Sequence, residues 1–320
     1  LLLKGMSLQS LNRNDEALVI YHALLSIYPR DADTLYLSVI LTYTTGRVEE
    51  SFTLLTRALE YFPKIPIFYC LQAGMLYKAR MFPQAREAAN RGLSLDQNNL
   101  DLNLQKLRID ADEPNEDERN EGLRRIVKFQ DENHSELAYW KGEAEKHLNH
   151  SHDKAKEYYQ KSIQLQGFGP AYEALALYQY ENGNLEEALE ITQKGEQAGS
   201  VYASLYFFRA NILEKLGRYD EMIQSYDKAI EYDLWNLNYY LQKAEKLETL
   251  ERNEEALECL TQVVEEISKV VNPEVDQIPY VVDLHRARAR LLYKLLRDEE
   301  ALATHESLKD VNLKLANVYL

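Results

Sequence analysis

Three histidines, His147, His150 and His152, stand close together in the sequence, and His134 lies upstream of them. Imidazoles at this spacing could share a zinc or nickel ion. The spacing fixes no tetrahedral arrangement, however, and no cysteine lies nearby. We therefore interpret His147, His150 and His152 as solvated side chains around a turn, and we expect neither a metal nor another cofactor.

Carboxylates are concentrated between Asp110 and Glu121, in the segment DADEPNEDERNE. Such a run could hold calcium, but the order of ligands and the central glycine of an EF-hand are absent. We therefore expect a solvated or disordered loop rather than a calcium site.

Two arginines, Arg286 and Arg290, lie one helical turn apart and could grip a carboxylate together. The nearby Asp298, Glu299 and Glu300 could neutralise them instead. Both interpretations stay open from the sequence.

No catalytic motif is visible. The chain contains no HExxH, CxxC or GxSxG and no glycine-rich phosphate loop. No nucleophile with a matching base can be identified either. The sequence therefore predicts a protein that is not an enzyme.

The composition limits the class of partner. Lys and Arg total 37 against 52 for Asp and Glu, so the formal net charge is −15. This charge repels phosphate backbones and anionic lipids and attracts a basic peptide. No apolar run approaches the roughly 18 residues that span a bilayer, so we expect no membrane insertion. Two cysteines, Cys70 and Cys259, are expected to stay reduced, which favours a cytoplasmic location.

The elements that position these residues recur every 34 residues. Two sets of residues show this step: Tyr172, Tyr206 and Tyr240, and Ala188, Met222 and Ala256. On both sides of Gly183, apolar residues are spaced by three and four, which predicts helix, turn, helix. A period of this length is typical of stacked helical hairpins, which build a long binding surface rather than a catalytic pocket.

These residue types and spacings resemble the tetratricopeptide repeat, with a large residue at position 4 and small residues at positions 8 and 20. The resemblance covers most of the chain. It implies an all-α, right-handed α-solenoid, or superhelix, of about nine helix-turn-helix repeats in a single domain, 1–320. Leu1 falls at position 4, inside a helix, so we expect the native chain to begin earlier. Gly195 and Gly199 are expected to close the sixth hairpin in a left-handed conformation.

The regular period is interrupted twice. The predicted segments are regular repeats over 1–99, a degenerate repeat with the acidic loop over 100–134, regular repeats over 135–270, a proline-containing linker over 271–281, and a last repeat with a capping helix over 282–320. Pro273 and Pro279 motivate the linker, since proline disrupts a helix interior.

In this family the concave groove is lined by the first helix of each repeat, helix A, at positions 2, 5, 9 and 12. The resemblance therefore implies these groove residues: Tyr36, Tyr43, Tyr77, Glu173, Tyr180, Phe207, Asn211, Glu214, Glu245, Glu248, Arg286 and Arg290. Tyrosine offers broad apolar contact and a hydroxyl at low entropic cost. Tyr172, Tyr206, Tyr226 and Tyr240 stand instead at positions expected in the core.

The family's dicarboxylate clamp for chaperone tails is missing. Asn211 occupies a matching position, but Phe207 replaces the lysine beside it, and Gln242 and Glu245 follow in the next repeat. We therefore do not expect a chaperone tail as the ligand.

The leading hypothesis is a non-catalytic scaffold or adaptor that binds an extended peptide or a helix of a protein partner, which could be basic, in the groove. The alternative is a regulatory or substrate-recruiting segment of a larger enzyme or signalling protein. Nucleic acid is not an expected partner, because RNA-binding relatives have basic grooves. Self-association stays open.

Overall fold

The computed structural model describes residues 1–112, 116–131, 133–165, 168–199, 202–268 and 278–307. Within these ranges the chain is all-α, with eighteen helices in nine antiparallel pairs. The helices are α1 (Leu2–Ser10), α2 (Asn14–Ile27), α3 (Ala32–Thr44), α4 (Val48–Tyr61), α5 (Pro66–Lys78), α6 (Phe82–Leu95), α7 (Leu100–Asp112), α8 (Glu116–Ile126), α9 (Ser135–Leu148), α10 (His152–Gln164), α11 (Gly169–Glu181), α12 (Leu185–Gln197), α13 (Ala203–Lys215), α14 (Tyr219–Tyr232), α15 (Leu237–Thr249), α16 (Asn253–Ser268), α17 (Ile278–Lys294) and α18 (residues 298–307). The predicted all-α class and the nine hairpins are confirmed.

The helices form two compact units, Leu1–Leu165 with α1 to α10 and Gln166–Leu320 with α11 to α18. Each unit is described by itself below. The single domain and the right-handed superhelix that the resemblance implies stay predictions.

A three-residue turn joins the two helices of each hairpin, and its middle residue is left-handed wherever that turn lies in the described ranges. Glycine fills this place at Gly46, Gly183 and Gly217, with φ between 71° and 80°. Other residue types fill it in the remaining turns: Asn12, Arg80, His150, Glu251 and Leu296. A left-handed residue ends a helix cleanly by letting the following amides bond back to its last turn, as Arg47 N–H does to the Thr42 carbonyl.

Small residues let the paired helices cross closely. Ala176 and Ala188 are fully buried at the predicted crossing of α11 with α12. Gly195 differs from the prediction: it lies inside α12, where an added Cβ would fall 3.1 Å from the Tyr172 ring. Close packing therefore favours this glycine, whereas Gly199 has the left-handed φ of 74° that was expected of both.

Buried tyrosines fill the space between neighbouring hairpins. Tyr206 and Tyr226 are at most 2% exposed, and Tyr172 and Tyr240 are also buried. The predicted core role of these four tyrosines is confirmed.

The acidic stretch is not the loop that was predicted. Residues 110–112 belong to α7 and residues 116–121 to α8, while 113–115 lie outside the described residues. Asp110 is fully buried, and its carboxylate accepts from Arg86 Nε at 3.0 Å and Lys106 Nζ at 2.9 Å. Opposite charges therefore stabilise the last turns of α7 around Asp110.

The predicted linker over 271–281 is also shorter than expected. Residues 278–281 belong to α17, so Pro279 lies in the first turn of a helix. Proline is tolerated there because its missing N–H would have no partner inside the helix. The rest of the predicted linker and the predicted capping helix, Asp310 to Leu320, lie outside the described residues.

Ion pairs connect successive hairpins inside each unit. Each joins a basic residue to an acidic residue of the preceding hairpin, 32 positions earlier: Arg47 to Asp15, Lys228 to Glu196 and Arg252 to Asp220, at 2.6 to 2.9 Å. Cys70 and Cys259 are both free thiols. No helix in the described ranges is sufficiently long and apolar to cross a bilayer.

Candidate binding surface on the first helices

Two of the predicted tyrosines of the first unit lie on α3 with unused hydroxyls. Tyr36 and Tyr43 are half-buried, and their rings pack against a core cluster that contains Leu35 and Val39. Neither hydroxyl bonds to a described residue. The rings are therefore held in place while the hydroxyls stay available to a ligand.

Tyr77, on α5, is arranged differently. Its hydroxyl donates to Asp112 Oδ2 at 2.5 Å, and its ring packs against Phe82. Burial and this hydrogen bond raise the pKa of Tyr77. The hydroxyl of Tyr77 is therefore occupied within the protein, and only its half-exposed ring can contact a ligand.

Beside Tyr77 lies an ion pair that the sequence analysis missed. Arg108 of α7 donates through Nε and Nη2 to both carboxylate oxygens of Glu136 on α9. The third nitrogen, Nη1, donates to Gln105 Oε1 at 3.2 Å. If Leu107 is aligned with repeat position 8, Arg108 occupies position 9, which is a groove position. The sequence analysis did not identify Arg108 because the 34-residue period is interrupted there.

In the second unit, Tyr180 and Phe207 are both half-buried. The Tyr180 ring meets Phe208 edge-on at 5.6 Å, and the Tyr180 hydroxyl bonds to no described residue. Phe207 packs against Tyr226 at 5.7 Å and Tyr239 at 5.1 Å. Phe207 is thus partly a core residue, which the sequence did not indicate.

Two polar residues of this unit, Asn211 and Glu173, differ in whether they already have a hydrogen-bond partner. Asn211 is half-buried, and its carboxamide bonds to no described residue. Glu173 accepts from the Ser204 hydroxyl at 2.8 Å, and burial raises its pKa. Asn211 is therefore free to pair with a ligand, whereas Glu173 is already hydrogen-bonded.

The other predicted carboxylates are neutralised by the next hairpin. Glu214 accepts from Lys246 Nζ at 2.8 Å, and Glu248 accepts from Arg290 Nη2 at 2.7 Å with Lys294 Nζ at 3.6 Å. These acids therefore contribute little free charge to a ligand. Glu245, in contrast, is exposed.

Each of the two predicted arginines already faces a carboxylate of the protein. Arg290 bonds to Glu248, and Arg286 lies 3.4 Å from Asp283. Both stay about two-thirds exposed, at 66% for Arg286 and 63% for Arg290. The neighbouring acid Glu300, expected as a partner, bonds instead to Arg297.

The histidines serve local structure. His134 caps α9 by accepting the Leu137 N–H at Nδ1, and His147 lies 3.3 Å from Glu143. Among the described residues, no group of three or more His, Cys, Asp or Glu side chains could hold a metal ion.

Models of the tetratricopeptide repeat match residues 1–31 and 203–234. No curated protein matches the chain in sequence. Several solved structures share its fold. The APC/C hetero-tetramer Cut9-Hcn1 aligns with a TM-score of 0.62 and 14% identity over 87% of this chain and 52% of that chain, so the chain spans about half its length.

Two further structures cover more of their own length. The human IFIT1 dimer with m7Gppp-AAAA aligns with a TM-score of 0.60 and 14% identity over 98% of this chain and 78% of that chain. A tetratricopeptide repeat protein from Parabacteroides merdae aligns with a TM-score of 0.56 and 15% identity over 72% and 91%. At these identities the likeness concerns the fold alone.

Proposed function

We propose that this tetratricopeptide repeat protein binds a peptide segment of a protein partner on the first helices of its hairpins. We also propose that it catalyses no reaction. One observation carries this proposal. Tyr36, Tyr43, Tyr180 and Asn211 are half-buried on first helices, and their polar groups bond to no described residue. They can therefore form hydrogen bonds with a ligand without first breaking bonds within the protein.

The rigidity of these side chains supports binding. The tyrosine rings are packed against the core, so little side-chain entropy is lost when a ligand arrives. Each ring adds apolar contact area, and each hydroxyl adds a directional bond, a combination that is typical of binding hot spots. Several modest contacts along a row of hairpins can then sum to a useful affinity.

The charges support a protein partner rather than RNA. The net charge of −15 repels a phosphate backbone, and Lys246 and Arg290 are each paired with an acid, Glu214 and Glu248. The IFIT1 structures contain capped RNA, but that ligand belongs to IFIT1. The exclusion of nucleic acid, the basic character of the partner and the cytoplasmic location stay predictions.

The test compares capture of partners from native cell extract by the wild-type chain and by a Tyr180→Phe, Asn211→Leu variant. Both substitutions remove hydrogen-bonding groups and keep the size of the side chain, so the fold should be retained. Two lost hydrogen bonds at about 0.5–1.5 kcal/mol each correspond to roughly 5- to 150-fold weaker binding. Mass spectrometry identifies the retained proteins, and titration of the captured partner measures the affinity.

A matched control carries Tyr219→Phe and Gln224→Leu, which change exposed residues of the second helix α14 in the same way. It should bind as the wild type does. Equal capture by all three proteins would place the site away from α11 and α13. Capture that nuclease treatment abolishes would contradict a protein partner.

A further inference from the structure

Glu173, on α11, is a half-buried carboxylate at a predicted groove position. The groove acids Glu214 and Glu248 of the same unit each form an ion pair with a basic residue of the next hairpin. At Glu173 the next hairpin supplies a hydroxyl instead, because Ser204 Oγ lies 2.8 Å from Oε2. Among the described residues, no ammonium or guanidinium group pairs with Glu173. This acid therefore lacks the positive charge that its neighbours receive from within the protein.

The hydrogen bonds to Glu173 leave room for a ligand. An ionised carboxylate can accept about four hydrogen bonds, and Ser204 supplies one of them. The Tyr202 hydroxyl also reaches the carboxylate, but it lies 2.9 Å from the Gly169 carbonyl, and a hydroxyl has a single hydrogen to donate. The described side chains therefore supply at most two donors, and both of these are neutral.

Burial makes an ionised Glu173 unfavourable while no ligand is bound. Desolvation raises the pKa of Glu173, and the hydrogen bonds from the two hydroxyls do not offset it. Burial also opposes ionisation of Glu196, but there the bonds from Lys228 and Arg209 outweigh it and lower the pKa to about 2. A cation that reaches Glu173 would stabilise its carboxylate in the same way.

Aromatic rings lie close to this carboxylate. Phe207 follows Ser204 by one turn of α13, so its half-buried ring is on the same face of the helix. This ring packs against Tyr239 of α15 at 5.1 Å. Burial, and then the charges of Asp233 and Glu173, raise the pKa of Tyr239, so the Tyr239 hydroxyl lies within the field of the carboxylate. An aromatic face beside a carboxylate suits both the aliphatic stem and the charged end of a lysine or arginine side chain.

We propose that Glu173 binds a cationic side chain, lysine or arginine, of the bound peptide. The ammonium or guanidinium group donates to the free lone pairs of the carboxylate, and the aliphatic stem lies along the Phe207 ring. This inference rests on the proposed function and names the chemistry of its ligand. It adds that the second unit selects a positive charge at this point of the peptide, to which the net charge of −15 also attracts it.

The probe is a phage-displayed library of random dodecapeptides, selected on the whole chain, with the selected peptides titrated by calorimetry. These peptides should share a lysine or arginine at one position. Replacing it by norleucine or citrulline removes the charge and keeps the size of the side chain, so the affinity for the wild type should fall roughly 10- to 150-fold. On Glu173→Gln, the charged and the neutral peptide should bind within about twofold of each other.

Thermal denaturation gives a second readout, which an acid with a merely structural role would move in the opposite direction. Because the raised pKa makes the ionised carboxylate unfavourable in the folded state, Glu173→Gln should melt above the wild type at pH 7. The difference should vanish below the ordinary pKa near 4.5, where the carboxyl is protonated in the folded and the unfolded chain alike. The variant should therefore gain stability while it loses binding.

The matched control is Glu187→Gln, which removes the same charge from an exposed position of the second helix α12. It should leave both the affinity and the melting temperature at pH 7 close to the wild-type values. A loss of affinity in this control equal to that of Glu173→Gln would attribute the effect to net charge and overturn the inference.

The remaining outcomes separate the two proposals. Selected peptides that share no basic residue, or that bind Glu173→Gln as tightly as the wild type, would overturn this inference and leave the proposed function standing. Melting of Glu173→Gln below the wild type at pH 7 would also overturn it, because the carboxylate would then serve to hold the hairpins together. If the wild type selects no peptide, both proposals fail.

Discussion

Replacing Asp110 by asparagine should destabilise the fourth hairpin by about 3 kcal/mol. The Asp110 side chain is fully buried and accepts from Arg86 at 3.0 Å and from Lys106 at 2.9 Å. Removing one member of a buried ion pair costs about 3–5 kcal/mol, because the remaining charge stays buried. Here Glu118 lies 2.7 Å from Lys106 and 3.3 Å from Arg86, so the lower end of that range applies.

Amide hydrogen exchange in α7 is the appropriate assay, because an array of hairpins need not unfold in one step. A loss of about 3 kcal/mol in local stability speeds exchange through opening by roughly 100-fold. The control is Asp101→Asn in the exposed first turn of the same helix, which should change exchange only slightly.

A double variant tests the electrostatic origin of the effect. Lys106→Met with Asp110→Leu replaces the pair by apolar side chains of similar size and leaves Arg86 beside Glu118. Most of the lost stability should return, since apolar replacement of a buried pair is often neutral. The reasoning is wrong if the α7 amides of Asp110→Asn exchange within threefold of the wild-type rate. The charged groups around Asp110 would then be hydrated rather than buried.

Two further predictions concern the second unit. Glu251 is left-handed at φ 60°, so Glu251→Gly should raise stability by about 0.5–1 kcal/mol in thermal denaturation, whereas Glu251→Ala should give no gain. Burial opposes ionisation of Glu196, but hydrogen bonds from Lys228, Arg209 and Tyr206 outweigh it and lower the pKa of Glu196 to about 2. Because the pKa of Glu196 is lowered in the folded state, its ionised carboxylate stabilises the fold at pH values above the ordinary pKa near 4.5. This stabilisation is lost as the pH falls toward 2. Glu196→Gln should therefore melt below the wild type at pH 7, and the difference should disappear near pH 2; a constant difference would contradict this assignment.

The hairpins could be predicted from the sequence because their packing repeats. A close crossing needs a small residue at the same place in each repeat, so Ala176 and Ala188 were identifiable without coordinates, and both are fully buried. The left-handed turns follow the same step, as Gly183 and Gly217 show. Local patterns and the global fold agree in these segments.

The helical state of the acidic stretch in the fourth hairpin could not be predicted, because one partner of Asp110, Arg86, stands 24 residues away in the sequence. Residues 110–121 have the composition of a solvated loop. Residues 110–112 and 116–121 are nevertheless helical, and Arg86, from the preceding hairpin, and Lys106 neutralise the buried Asp110. The acidic residues in the first turn of α8 also stabilise this helix, because they lie at the positive end of its dipole. Composition alone carries neither kind of information.

The sequence could predict which side chains occupy groove positions, but not which of them already form hydrogen bonds within the protein. Tyr77 and Tyr180 occupy the same place in their repeats, but only Tyr77 faces an acceptor, Asp112. Contacts between hairpins therefore decide which side chains remain available.

The ion pairs between successive hairpins influence how many neighbouring hairpins unfold together. Arg47 with Asp15 and Arg252 with Asp220 couple neighbouring hairpins at partly exposed sites, where dissolved salt screens the attraction. In a linear array, weaker coupling between neighbours shortens the stretch that unfolds together. The ionic strength of the surroundings thus contributes to the cooperative length of each unit, beside the apolar packing, so that the same hairpins open in somewhat longer blocks in dilute salt.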